Sequence, residues 1–74
     1  MNNLIAIINR QKEFSLKTFG PGPRDPGLID HIEKELEEIK SAPGDLEEWI
    51  DVVILALDAC WRNGYTASDI VEML

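Results

Sequence analysis

Residues 19 to 27 read FGPGPRDPG and hold three of the chain's four prolines and three of its five glycines. Proline lacks a backbone donor and clashes with the preceding turn, and glycine pays most to be ordered, so no helix runs through this stretch. The remaining breakers are Pro43, Gly44 and Gly64. Between them there is no alternating strand pattern and no repeat, and apolar residues fall at helical spacing. The breakers cut the chain into four helical segments, which predicts an all-α, four-helix architecture.

The first segment is expected over about Asn3 to Leu16, with Leu4, Ile5, Ile7, Ile8 and Phe14 facing a core. After the bend, Asp25 reads as an N-cap with Pro26 at the first helical position, and the helix runs to about Lys40. Asp45 with Glu48 reads as a capping box opening a third helix, which ends near Asn63 with Gly64 beyond it. Thr66 with Asp69 reads as a second capping box, opening a short helix toward Leu74. Its Ile70, Val71, Met73 and Leu74 are apolar, so it is expected to pack on a neighbour, or the architecture continues past it.

Seventy-four residues make one domain, residues 1–74. A domain of this size buries only roughly 60% of its unfolded surface and needs a staple or a partner. Cys60 is the only cysteine, so no disulfide is available within the chain. Oligomerisation is the expected stabiliser. A single thiol, with Asn2 and Asn3 where a secretory leader would be basic, leads to the expectation of a cytoplasmic protein. The longest apolar run, Val52 to Leu57, falls far short of the roughly 20 residues that span a bilayer. The formal net charge is −7. Such a chain repels nucleic-acid polymers and anionic lipid. It still admits a nucleotide if metal cations mediate.

The acids are not scattered. At 100° per residue, with His31 at zero, Glu35 falls at about 40° and Glu38 at about 340°, one stripe. Leu28, Ile32, Leu36 and Ile39 form the adjoining apolar face, while Glu33, Glu37 and Lys40 point to solvent. The third segment, WIDVVILALDACW, is apolar almost all round, the mark of a buried helix. Glu48, Asp51, Asp58 and Arg62 make a polar stripe along it. A buried carboxylate needs a partner. The plainer reading pairs Asp58 with Arg62 at i, i+4 and leaves Glu48 as no more than a cap. If the two helices pack antiparallel, however, Glu35, Glu38, Glu48 and Asp51 converge. Four such charges call for hard divalent cations, with Mg²⁺ or Mn²⁺ as the candidates.

Other residues carry less chemistry. His31 either contacts substrate or pairs with a carboxylate. Trp49 and Trp61 read as core or interface rather than stacking platforms. Cys60 has no basic neighbour to activate it. Neither a zinc pattern nor a nucleophile–histidine arrangement is present.

KELEEI followed by EEWIDV resembles the E-x-x-E and E-x-x-D metal motifs of the MazG and dimeric dUTPase superfamily of all-α nucleoside triphosphate pyrophosphohydrolases. TFGPGPR, IDHIEKELEEI and DLEEWIDVVILALDACWRNG resemble its dATP/dGTP diphosphohydrolase branch, known from phages and bacteria, over about residues 8 to 72. The resemblance implies a MazG-like bundle assembling as a homodimer or homotetramer, in the host cytoplasm if phage-encoded. It implies Mg²⁺ (or Mn²⁺) on Glu35, Glu38, Glu48 and Asp51, with Asp58 beside the site. The implied reaction cleaves a (deoxy)nucleoside triphosphate between the α and β phosphates, giving the monophosphate and pyrophosphate. Glu38 or Glu48 would take the proton of the attacking water. Lys34 stands where many members carry the first of two paired acids.

The bend gains a role in that light. Backbone N–H groups at Gly20 and Gly22 would cradle phosphate, with Arg24 and Lys17 supplying positive charge. A plain turn between two helices is the competing reading. Family members generally continue into a basic Asn- and Arg-containing segment after the last helix, where this sequence stops at Leu74. That leads to the expectation of weakened nucleotide binding with turnover retained. The alternative is a non-catalytic nucleotide-binding or protein-interaction module that keeps the fold.

Overall fold

A computed structural model describes residues 3–74 and shows four helices: α1 (Asn3–Phe19), α2 (Asp25–Ser41), α3 (Leu46–Arg62) and α4 (Ala67–Met73). No strand occurs among the described residues. The breakers act where the sequence places them. Gly20 and Gly22 take φ of +79° and +105°, a region that favours glycine, and turn the chain sharply between α1 and α2. α3 ends in a Schellman motif: the Gly64 N–H donates to the Trp61 carbonyl and the Tyr65 N–H to that of Cys60. Thr66 and Asp69 form the expected capping box, each side chain accepting from the other's backbone N–H.

Two caps differ from expectation. Asp25 is the first residue of α2, and Arg24 occupies the cap position without a side-chain bond. The Asp25 carboxylate instead accepts from Asn63 Nδ2 (3.1 Å), tying the start of α2 to the end of α3. Asp45 does cap α3, accepting from the Glu47 N–H (3.0 Å). Glu48 does not complete a box; its carboxyl turns toward α2.

α2 and α3 pack along their length as a hairpin joined by residues 42 to 45. Contacts of Arg24 and Asp25 with Asp58 and Asn63 at one end, and of Glu35 and Glu38 with Glu48 at the other, make the pair antiparallel. α1 lies against both α3 and α4. Ile8, Ala67 and Ile70 form the centre of the core, with Ile5, Leu57, Cys60 and Val71 packed on it. Leu28 and Ile39 are the buried apolar residues of α2. Fully burying a side chain such as Ile8 or Leu28 contributes about 1.5–3 kcal/mol.

The core is smaller than the periodicity suggests. Leu4, Ile7 and Phe14 of α1 and Leu36 of α2 are exposed rather than inward. The only buried residue of α3 is Asp58, while Trp49, Ile50, Val53 and Ile54 are open to solvent. The reason is geometric. α2 covers one flank of α3, α1 covers part of another, and α4 turns back onto α1.

Candidate active site

Glu35 and Glu38 stand one turn apart near the end of α2, and Glu48 stands in the first turn of α3, directly across the hairpin. One carboxylate oxygen of each lies within 4.8 Å of the others. Glu35 Oε1 is 3.4 Å from His31 Nε2, one turn earlier on α2. Glu35 Oε2 and Glu48 Oε2 are buried with no hydrogen-bond partner. Burial, followed by the closeness of the Glu35 and Glu38 carboxylates and their charge, pushes the Glu48 carboxyl from 4.5 up to about 7. Three acids this close cannot all stay ionised without a proton or a cation between them. Oxygen-only donors and two orphaned buried oxygens fit a hard divalent cation. Asp51 lies one turn along α3 from Glu48, half-buried, outside this 4.8 Å group.

A second polar group lies at the other end of the hairpin. The Arg62 side chain is 0% exposed. Its Nε donates to Asp58 Oδ2 (3.0 Å), its Nη1 to the carbonyls of Gly20 (3.0 Å) and Gly22 (2.8 Å), and its Nη2 to Ser15 Oγ (2.9 Å). The guanidinium thus fastens the bend to α1 and α3. Of the two N–H groups expected to cradle phosphate, that of Gly20 is already engaged within the chain. The Gly20 and Gly22 carbonyls turn in to Arg62 because a buried five-donor fork must find acceptors, and the Gly20 N–H donates to the Leu16 carbonyl (2.9 Å) as the last i to i−4 bond of α1. Arg24 lies over the Phe19 ring, with Cζ 3.9 Å from its centroid, and donates to Asp58 Oδ2 at 3.4 Å.

Arg24, His31 and Asp58 come together around one open cleft of about 110 Å³, walled by Phe14, Phe19 and Trp61. His31 therefore touches both the carboxylate group and the cleft. Lys17 is exposed in the last turn of α1 and does not line the cleft. The expected Asp58–Arg62 pair forms. What the sequence left unread is that Arg62 also holds the bend. One signal was available: Ser15 falls two turns after Ile8, on the inward face of α1, where a polar residue needs a partner.

Fold and site together define an all-α protein whose helical hairpin gathers carboxylates at one end and guanidinium groups at the other. The model of the dATP/dGTP pyrophosphohydrolase family matches residues 7–74, and the chain belongs to that family. Membership makes it a nucleotide pyrophosphohydrolase, a hydrolase acting on nucleoside triphosphates. Neither a curated relative nor a solved structure matches the chain. Among the described residues no helix is long and apolar enough to cross a membrane.

Proposed function

We propose that the chain hydrolyses dATP and dGTP to the monophosphate and pyrophosphate in a Mg²⁺-dependent reaction, with Mn²⁺ as a substitute. The observation that carries this reading is the triad of Glu35, Glu38 and Glu48, with two buried oxygens lacking partners. These three, with Asp51 one turn along α3, are the residues that would hold the metal. When bound, the cation supplies Lewis-acid polarisation of phosphoryl oxygens and a more acidic water. Whichever of Glu38 and Glu48 keeps an oxygen free accepts the proton of the attacking water. His31, 3.4 Å from Glu35, orients that carboxylate. Asp58 and Arg62 neutralise each other, so Arg24 is a surplus cation on a chain of net charge −7 and gives the substrate anion a local partner.

The exposed apolar face of α3 supports assembly as a homodimer or homotetramer with the cleft near the interface. The test of function is incubation with each dNTP and Mg²⁺. Release of pyrophosphate from dATP and dGTP, lost in Glu38→Gln, supports the reading. Nucleotide binding without any pyrophosphate would replace it with a binding role.

A further inference from the structure

We propose that Arg62 is a positioning residue for the reaction: its buried guanidinium sets where the Arg24 guanidinium stands, and so governs nucleotide affinity without touching the nucleotide. The inference rests on the reading above, in which Arg24 gives the substrate anion a local partner. Arg62 cannot take that role itself, because its side chain is 0% exposed and four of its five N–H donors are already placed. Arg24 can, being 28% exposed and part of the cleft wall.

Two routes connect the pair. The first runs through the backbone. Arg62 Nη1 holds the Gly22 carbonyl at 2.8 Å, the shortest bond that the guanidinium makes. Only Pro23 lies between Gly22 and Arg24. The proline ring fixes its own φ, and the peptide bonds on either side are planar. One soft torsion, the Pro23 ψ, therefore separates the anchored carbonyl from the Arg24 amide. Beyond it α2 takes over, with the Leu28 N–H donating to the Arg24 carbonyl at 2.9 Å.

The second route runs through Asp58. Its Oδ2 accepts from Arg62 Nε at 3.0 Å and from Arg24 Nη1 at 3.4 Å. Arg62 makes the shorter bond and fixes the carboxylate on which Arg24 docks. Arg24 then lies on Phe19, its Cζ 3.9 Å from the ring centroid. The bend, the carboxylate and the ring hold one exposed cation in place, and Arg62 governs the first two. A cation ordered in advance loses less freedom on meeting an anion. The charge of Arg62 alone does not do this. A lysine ammonium keeps the charge, but one point with three donors cannot span Asp58, Ser15 and both carbonyls.

The test is Arg62→Lys with two readouts. The first needs no substrate. In nitrogen-resolved NMR the Arg24 Nε proton, identified by its loss in Arg24→Ala, is expected upfield in the parent from the Phe19 ring current. In Arg62→Lys it should move toward the position of a free arginine, while the amides of Ile8 and Ile70 in the core stay where they are. The second readout is steady-state turnover of dATP with Mg²⁺. KM is expected to rise about 10-fold, the loss of one bond to a charged group, with kcat changed by less than about 2-fold. Arg24→Ala should raise KM at least as much, and the double variant no further, since the two residues act as one unit. An unmoved Arg24 signal, an unchanged KM, or additive effects in the double variant overturns the proposal. If Arg62→Lys does not fold, Ser15→Ala decides. It removes only the acceptor of Nη2 and is expected to move the Arg24 signal part of the way, and an unmoved signal there also overturns the proposal. A parent that releases no pyrophosphate defeats the hydrolase reading instead, and the NMR readout then decides the positioning by itself.

Discussion

Glu48 ionises against two neighbouring acids, and the consequence for stability has a definite sign. Its ordinary value of 4.5 rises to about 7 in the fold, first through burial and then through Glu35 and Glu38. The metal-free protein therefore gains stability from protonated Glu48 that is complete below about 4.5 and lost as pH rises through about 7. The melting temperature of metal-free protein should fall across that window. Glu48→Gln should flatten the slope and melt higher than the parent above neutrality. A parent slope that persists in Glu48→Gln would place the titrating group elsewhere. In the proposed metal role protons and cation would compete for these oxygens, so Mn²⁺ affinity should rise over the same interval. Arg62 makes the opposite kind of contribution. Arg62→Ala leaves Asp58 with only its long bond to Arg24 and strips the Gly20 and Gly22 carbonyls and Ser15 of their donor. Breaking a buried pair costs about 3–5 kcal/mol, a large share of what so small a domain has. Urea denaturation of Arg62→Ala should show a loss of about that size, and a loss below about 1 kcal/mol would show that the bend holds without it.

At the level of elements, the bend separates two effects of glycine. Gly20 and Gly22 have positive φ, and nothing lies within 4 Å of an added Cβ at either. Alanine there is strained by the backbone alone, so Gly22→Ala should destabilise by about 1–2 kcal/mol. Gly27, in the first turn of α2 and without positive φ, should gain up to about 1 kcal/mol from the same change. Equal responses at the two positions would remove this explanation of the bend. Chemical denaturation decides. Breakers and caps made the helices legible: Gly64, Thr66 and Asp69 act as their chemistry predicts. The direction of a side chain was less so. Asp45–Glu48 fits the capping-box pattern, yet in three dimensions the α2 carboxylates stand across from Glu48 and its carboxyl joins them. The glycines signalled a turn, but whether carbonyls or N–H groups face inward depended on Arg62, about forty residues away in the chain.

The whole molecule leaves apolar surface uncovered. Leu46, Trp49, Ile50 and Val53 form an exposed run on α3, with Val53 49% exposed. Periodicity could show that α3 is apolar nearly all round, but not that the four described helices leave this run uncovered. Contiguous faces of this kind mark association surfaces. Sedimentation at micromolar concentration should give a dimer or tetramer, and Val53→Glu should shift it toward monomer. A stable monomeric parent would contradict the assembly. The carboxylate spacing was legible because 3.6-residue periodicity fixes which acids share a stripe. Three of the four expected ligands meet across the hairpin, and Asp51 sits one turn along α3 from Glu48, outside that group. The most direct measurement is the product analysis of dGTP turnover with and without Mg²⁺, in the parent and in Glu38→Gln. The expected result is dGMP with pyrophosphate, dependent on Mg²⁺. Glu38→Gln should lower the rate by about 100-fold or more, since even outer-shell partners of a metal typically matter 10–100-fold. Release of dGDP with orthophosphate, turnover without divalent cation, or a Glu38→Gln variant as fast as the parent would contradict the assignment of the carboxylate triad as the catalytic centre.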